Sequence, residues 1–371
     1  MSDAAEVTLH TLSTGDSVVW NKVYETVAIK FNKARKVLST SQLNGGYRED
    51  LQGVLHYHQA LVENGDGSGQ AEKSRAWLRS LAAALALDPG RTAAMGTSGS
   101  MENTAIAVKQ FQTLIVTAMV IAGIEPSAVR AGSLPRNAEQ CRRQAGPVNI
   151  ILLLDADMPP GTVARALVTC SEAKTAALQE LMADSVYSCG LATGTGADQT
   201  MVLANAVSPL YLETAGKHSK LGELIGQAVK QAVQEALVKQ GGISPQSQRS
   251  LRQRFQRFGF TDEFLWRQYA SWTGRPAEKA RFQALWDRLD GNPALLAYSS
   301  LYIHLLDQQL WGLLPAGQVQ AAGQELIAAV AARCCVCCPV IPSPKLQDCL
   351  QAWFELIFAC LVRQPPLRPE E

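Results

Sequence analysis

Charge of one sign is missing from this chain: 34 Lys and Arg stand against 33 Asp and Glu over 371 residues, a formal net of +1. A near-neutral surface offers no overall field for a polyanion, and no run of basic residues interleaved with aromatics makes up for it, so nucleic acid is not expected as a partner. The small cluster Arg249, Arg252, Arg254 and Arg257 reads as the solvated side of a helix. Long hydrophobic runs are missing too. The most apolar stretches, Ile150–Leu154 and Leu114–Ile121, fall well short of the roughly 20 residues of a membrane-spanning helix, so no membrane partner is expected. The start from Met1 to Thr11 is polar and acidic, without the basic-then-apolar pattern of a secretory leader. Nine cysteines, an odd count in a chain without that leader, imply reduced thiols and a cytoplasmic location.

What is present is a large apolar complement, 47% of the residues, enough for two domains. The composition shifts near Gly242, which places a mixed α/β (α+β) domain over residues 1–242, its buried sheet flanked by helices, and an all-α domain over 243–371. Residues 6–40 read as strands, Glu72–Leu87 as an Ala-Leu helix closed by Asp88-Pro89-Gly90, and Thr92–Gly96 and Thr104–Val108 as strands. Leu114–Ile121 fits a strand or a buried helix. Val148–Leu154 is a continuous apolar strand, which requires cover on both faces. A helix follows over Thr162–Met182, with Lys174 interrupting its apolar stripe, either snorkelling at the edge or pointing into a polar pocket. Thr200–Ala204 reads as a strand. From Ile243 onward helices are expected at about Gln246–Phe258, Asp262–Thr273, Pro276–Leu289, Pro293–Leu313, Gly317–Arg333 and Pro344–Arg363.

Polar chemistry concentrates between Tyr187 and Gly242. The turn Gly190-Leu191-Ala192-Thr193-Gly194-Thr195-Gly196-Ala197-Asp198-Gln199 places hydroxyls and a carboxylate among glycines that let backbone amides approach a ligand. Gly216-Lys217-His218-Ser219-Lys220 then opens a helix whose apolar residues run at i, i+3, i+4 from Leu221 to Leu237, so His218 stands at a helix N-terminus that favours negative charge. Two further small-residue turns, Asn44–Asp50 and Thr97–Asn103, carry amides, a guanidinium and carboxylates.

Four separated segments in order, Leu43–Asp50 (LNGGYRED), Thr97–Asn103 (TSGSMEN), Ser171–Leu178 (SEAKTAAL) with Gly190–Gln199 (GLATGTGADQ), and Gly216–Gly226 (GKHSKLGELIG), resemble the adenosylcobinamide amidohydrolase family over about Leu9–Lys239. The resemblance implies hydrolysis of the amide that joins a corrin propionyl side chain to aminopropanol, giving adenosylcobyric acid in cobamide salvage and remodelling. It implies a corrinoid substrate and no dedicated metal or organic cofactor. One departure matters: Ala197 stands where the family's Gly-Thr-Gly-Thr-Asp turn has its second threonine.

Amide hydrolysis needs a nucleophile, a base, oxyanion donors and an acid for the leaving amine. The expected catalytic set is His218 as base and later acid, Glu102 or Glu172 as the carboxylate that orients or substitutes for it, and Thr195, Thr193 or water as nucleophile. Lys217 and Lys220 would keep His218 neutral. The oxyanion would rest on amides of Gly194–Gly196 or of the His218–Lys220 helix start. Asn44, Tyr47, Arg48, Asn103, Lys174, Thr193, Asp198, Lys217 and Lys220 are expected to hold the substrate.

Three other readings have defined signatures. A corrinoid carrier without hydrolysis lacks its Asp-x-His-x-x-Gly pattern at His218, and a P-loop kinase lacks its Gly-Lys-Ser/Thr ending. A threonine amidase that processes itself would appear as a cleaved chain. In the helical segment, Cys334, Cys335, Cys337 and Cys338 are dense enough to suggest zinc or an iron–sulfur cluster, but adjacent cysteines cannot readily all ligate one ion. Cys349 and Cys360, about three helical turns apart, read as core residues. A homo-oligomer or protein partner would be held through this helical segment.

Overall fold

A computed structural model describes residues 5–41, 43–59, 70–124, 127–133, 146–273 and 279–363. The chain divides into two compact units, Met1–Ser244 and Pro245–Glu371.

In chain order the first unit contains β1 (Glu6–Thr11), β2 (Ser17–Asn21), β3 (Thr26–Lys30), β4 (Arg35–Ser39), β5 (Gly46–Arg48), β6 (Gly53–His58), α1 (Gln70–Ala84), β7 (Thr92–Thr97), β8 (Ala105–Phe111), β9 (Leu114–Ala122), β10 (Ala128–Val129), β11 (Val148–Leu154), α2 (Pro160–Glu180), β12 (Gly194–Thr195), β13 (Thr200–Asn205) and α3 (Lys220–Gly241). Two sheets result, one ordered β1-β2-β3-β6-β7 and one ordered β5-β4-β13-β11-β9-β8, with β10 and β12 as a separate pair. Among the described strands, only β6–β7 and β11–β13 pair in parallel, and each pair is joined through a helix, as parallel strands require.

Alternation along the strands gives four layers. On β11, Ile150, Leu152 and Leu154 join the cluster formed with α2 and α3, while Ile151 and Leu153 face Val18, Ile29, Val54 and Met95 of the five-stranded sheet. The far side of that sheet is covered by α1 through Leu78, Leu81 and Ala82. Every residue of β11 is buried, which is why its sequence is apolar without a period. The ambiguous run Leu114–Ile121 is a strand, lying within β9 and held between β8 and β11. The Asn44–Asp50 segment is more ordered than a loop: Gly46–Arg48 is the edge strand β5, paired with Val37–Ser39.

The second unit is helical: α4 (Leu251–Phe255), α5 (Asp262–Thr273), α6 (Lys279–Asp290), α7 (Pro293–Leu310), α8 (Ala316–Cys334) and α9 (Leu346–Arg363). They enclose a core built around Phe255, Phe260, Trp286, Tyr302 and Trp353. The helix expected over Gln246–Phe258 shortens to α4 and a 3-10 turn, capped by Gly259 at φ 82°. The expected solvated arginine face is also corrected. Arg257 is buried and grips Asp307 with two hydrogen bonds of 2.8 and 2.7 Å, and Arg252 pairs with Asp262 and Asp287. A planar guanidinium can be buried when a carboxylate meets its fork, and charge density in sequence does not reveal that partner. Cys349 and Cys360 are buried, Cys334 is half-buried, and Cys335, Cys337 and Cys338 are exposed. Among the described residues no three His, Cys, Asp or Glu side chains group as metal ligands would, and no helix is long and apolar enough to cross a membrane.

Candidate active site

The Gly-Thr turn folds around one carboxylate. Asp198 Oδ1 accepts from Thr195 Oγ1 at 2.6 Å and from the Val148 amide at 2.8 Å, while Oδ2 accepts from the Thr195 amide at 3.0 Å and pairs with the Lys174 ammonium. Both side chains of the ion pair are largely buried, at 14% and 11% exposure. Lys174 therefore points inward rather than snorkelling. The close approach explains Gly194: a Cβ there would lie 2.3 Å from Asp198 Oδ2 and 2.8 Å from Lys174 Nζ. Thr195 is half-buried and next to the exposed Gly196 and Ala197, and its hydroxyl oxygen also receives the Ala197 amide at 3.3 Å. A hydroxyl that donates to a carboxylate on a half-buried residue has the arrangement of an activated nucleophile. Thr193 is occupied otherwise: its hydroxyl accepts from the Ala131 amide, and its carbonyl accepts from Thr175.

A second polar group ties this turn to the Thr97–Asn103 segment. Asn149 is the one polar residue in β11, and it lies between the sheets. Its Nδ2 donates to the Gly96 carbonyl at 2.8 Å and lies 3.0 Å from His56 Nε2, while its Oδ1 accepts the Gln199 amide at 3.0 Å. Gly96 precedes Thr97 and Gln199 follows Asp198, so two of the family-like segments meet at one amide. His56 is fully enclosed, and burial pushes its pKa down to about 3. Neither Asn149 nor His56 was expected as a site residue. The available signal was a lone amide in a strand otherwise too apolar to tolerate one.

The other expected residues are distributed more widely. Glu172 pairs with Lys217, and Lys220 pairs with Glu223 and lies 4.8 Å from the Phe111 ring centroid. The two cations expected to flank His218 are thus each matched by a carboxylate. His218 is exposed in the turn before α3, and the helix cap is Ser219, whose hydroxyl accepts from the Gly222 amide. Glu172 and Lys174, two residues apart on α2, lie about 200° apart around the helix and reach different neighbours. Glu102 and Asn103 stand at the opposite end of α3, where Gln240 Oε1 accepts from Asn103 Nδ2 at 2.7 Å and from the Ser100 amide at 3.2 Å. About 20 residues of helix separate that end from His218, roughly 30 Å, so Glu102 cannot orient His218. That expectation is withdrawn.

The first segment is also fastened to its own chain. Asn44, at φ 51°, donates to the carbonyls of Pro89 and Thr92. Tyr47 donates to Glu49 at 2.6 Å, and burial followed by that acceptor raises its pKa. Arg48 forks onto Asp50, a hydrogen bond that holds the Asp50 carboxyl down to about 2.

The profile of the adenosylcobinamide amidohydrolase family matches residues 9–245. The uncharacterized protein MJ1613 of Methanocaldococcus jannaschii is 32% identical over 234 residues, covering 59% of this chain and 88% of that protein. The crystal structure of the PH0078 protein from Pyrococcus horikoshii OT3 superposes with a TM-score of 0.30 at 12% identity, covering 63% of this chain and 83% of that one. The match spans nearly all of the unit that holds Thr195, Asp198 and Lys174, and the chain belongs to the adenosylcobinamide amidohydrolase family.

Proposed function

We propose that the chain hydrolyses the aminopropanol amide of adenosylcobinamide to adenosylcobyric acid, with the Thr195–Asp198–Lys174 cluster as the reacting centre. Family membership supports the reaction, and the 2.6 Å bond from Thr195 Oγ1 to Asp198 Oδ1 carries the choice of centre. Thr195 Oγ attacks the amide carbon while its proton passes to Asp198. The exposed Gly196 offers its amide to the oxyanion, in the position directly after the nucleophile. The proton then moves from Asp198 to the leaving nitrogen, the C–N bond breaks, and water hydrolyses the resulting ester, so amide plus water gives acid plus amine. Lys174 is a positioning residue that holds the carboxylate aimed at Thr195. His218, exposed and at the start of α3, serves substrate contact rather than proton transfer in this reading.

The test is incubation of purified protein with adenosylcobinamide and chromatographic separation of adenosylcobyric acid and aminopropanol. Thr195→Ala should lower kcat by at least about a hundredfold, Thr195→Ser should restore most of it, and His218→Ala should act mainly on KM. Loss of kcat in His218→Ala with Thr195→Ala still active would reverse the assignment. Tight binding with the corrinoid recovered intact would make the protein a carrier.

A further inference from the structure

A cavity of about 240 Å³ opens at the amino end of β11, bounded on its polar side by Ser98, Gly99, Gly123, Gly146 and Gln240. Its lining is linked to the Asp198 cluster along the chain. Gly146 is two residues from Val148, at most about 7 Å of chain, and the Val148 amide bonds Asp198.

Three observations define what it can hold. Its volume is below the roughly 300–1,000 Å³ of pockets for drug-sized ligands, so a macrocycle is excluded and a short side arm is not. Two glycines meet in its wall: a Cβ on Gly146 would lie 3.0 Å from Gly123 Cα and 3.1 Å from its carbonyl oxygen, so the two backbones touch there without side chains between them. The walls are of two kinds. Ala122, Ile124, Leu237 and Ile243 form an apolar side. Gln240 is the amide among the lining residues: its oxygen is committed to the Ser100 amide and Asn103, which fixes the side chain and leaves the two Nε2 hydrogens for a ligand acceptor. The cavity also meets the C-terminal end of α3, whose partial negative charge suits a neutral or cationic group and disfavours an anion.

We infer that this cavity receives the amino-alcohol arm on the leaving side of the scissile amide, with its methyl on the apolar wall and its hydroxyl accepting from Gln240 Nε2. The inference rests on the amidohydrolase reading for its substrate. It makes Gly123, Gly146 and Gln240 specificity determinants, and it gives the Thr97–Asn103 segment the task of setting the Gln240 amide.

The experiment uses the full chain and free 1-aminopropan-2-ol. In the wild-type protein, titration to saturation should shift the methyl resonances of Ile124, Leu237 and Ile243 and leave those of the helical unit unmoved. Gly123→Val, at a wall where a Cβ meets nothing nearer than 3.4 Å, should abolish those shifts. It should also raise KM for adenosylcobinamide at least about tenfold, with kcat within about threefold. An active wild-type enzyme whose cavity methyls do not respond overturns the inference, whatever the variant does. Methyl shifts in a protein that does not hydrolyse adenosylcobinamide keep the cavity and remove the amidohydrolase reading.

Discussion

Gly194 has no room for a methyl group, because Asp198 Oδ2 and Lys174 Nζ occupy the space a Cβ would take. Gly194→Ala should therefore push the turn away from its carboxylate. We expect a stability loss of about 1–3 kcal/mol, seen as a lower denaturant midpoint, and an activity loss of about a hundredfold or more, since a 1 Å misplacement costs that much. His56 sets a different dependence. Its folded pKa of about 3 lies below the ordinary histidine value of 6.5, so between those limits the unfolded chain binds a proton that the folded chain refuses. Stability is then complete above about pH 6.5 and falls as pH drops towards 3, by several kcal/mol at most. Urea midpoints measured from pH 7 to pH 4 should decline in the wild type and decline less in His56→Gln. Equal slopes would assign the acid sensitivity elsewhere.

At the scale of the element, α3 joins the two ends of the first unit and depends on its start. A Cβ on Gly222 would lie 2.1 Å from the Gly216 carbonyl oxygen, so Gly222 is where the helix and the Gly216–Ser219 turn are pressed together. Gly222→Ala should displace the turn that carries Lys217 and His218. If that turn contacts substrate, KM should rise more than for Ser219→Ala, which removes the cap at about 0.5–2 kcal/mol but leaves the turn in place. The periodic elements were legible in the sequence. The apolar stripe of α3, the two-faced burial of β11 and the helices of the second unit follow from local spacing, and Asp262–Thr273 matches residue for residue. The helix expected over Gln246–Phe258 was not legible, because Ser250 caps α4 five residues later and Gly259 stops it.

At the scale of the whole molecule, each unit has its own apolar core. A chain ended after Ser244 should keep adenosylcobinamide hydrolysis and unfold in one cooperative step by circular dichroism. An aggregated or inactive fragment would show that the helical unit is needed for folding or turnover. Within that helical unit, Asp307→Ala strands the buried guanidinium of Arg257 and should cost about 3–5 kcal/mol. Calorimetry of the full chain should then show a lowered transition for the helical unit without a matching change in hydrolysis.

The sequence by itself determined the two-part organisation, the mixed sheets with their helices and the family, because periodicity, glycine turns and ordered short segments are local properties. It also singled out Thr195, Lys174 and Asp198 as candidates. Only the tertiary structure decided that these three form one cluster, that Glu102 and His218 stand at opposite ends of a helix, that Arg257 is buried, and that Asn149 and His56 lie between the sheets. Those facts depend on which distant segments come to face one another, and a residue's neighbours across two sheets and a helix have no fixed spacing along the chain.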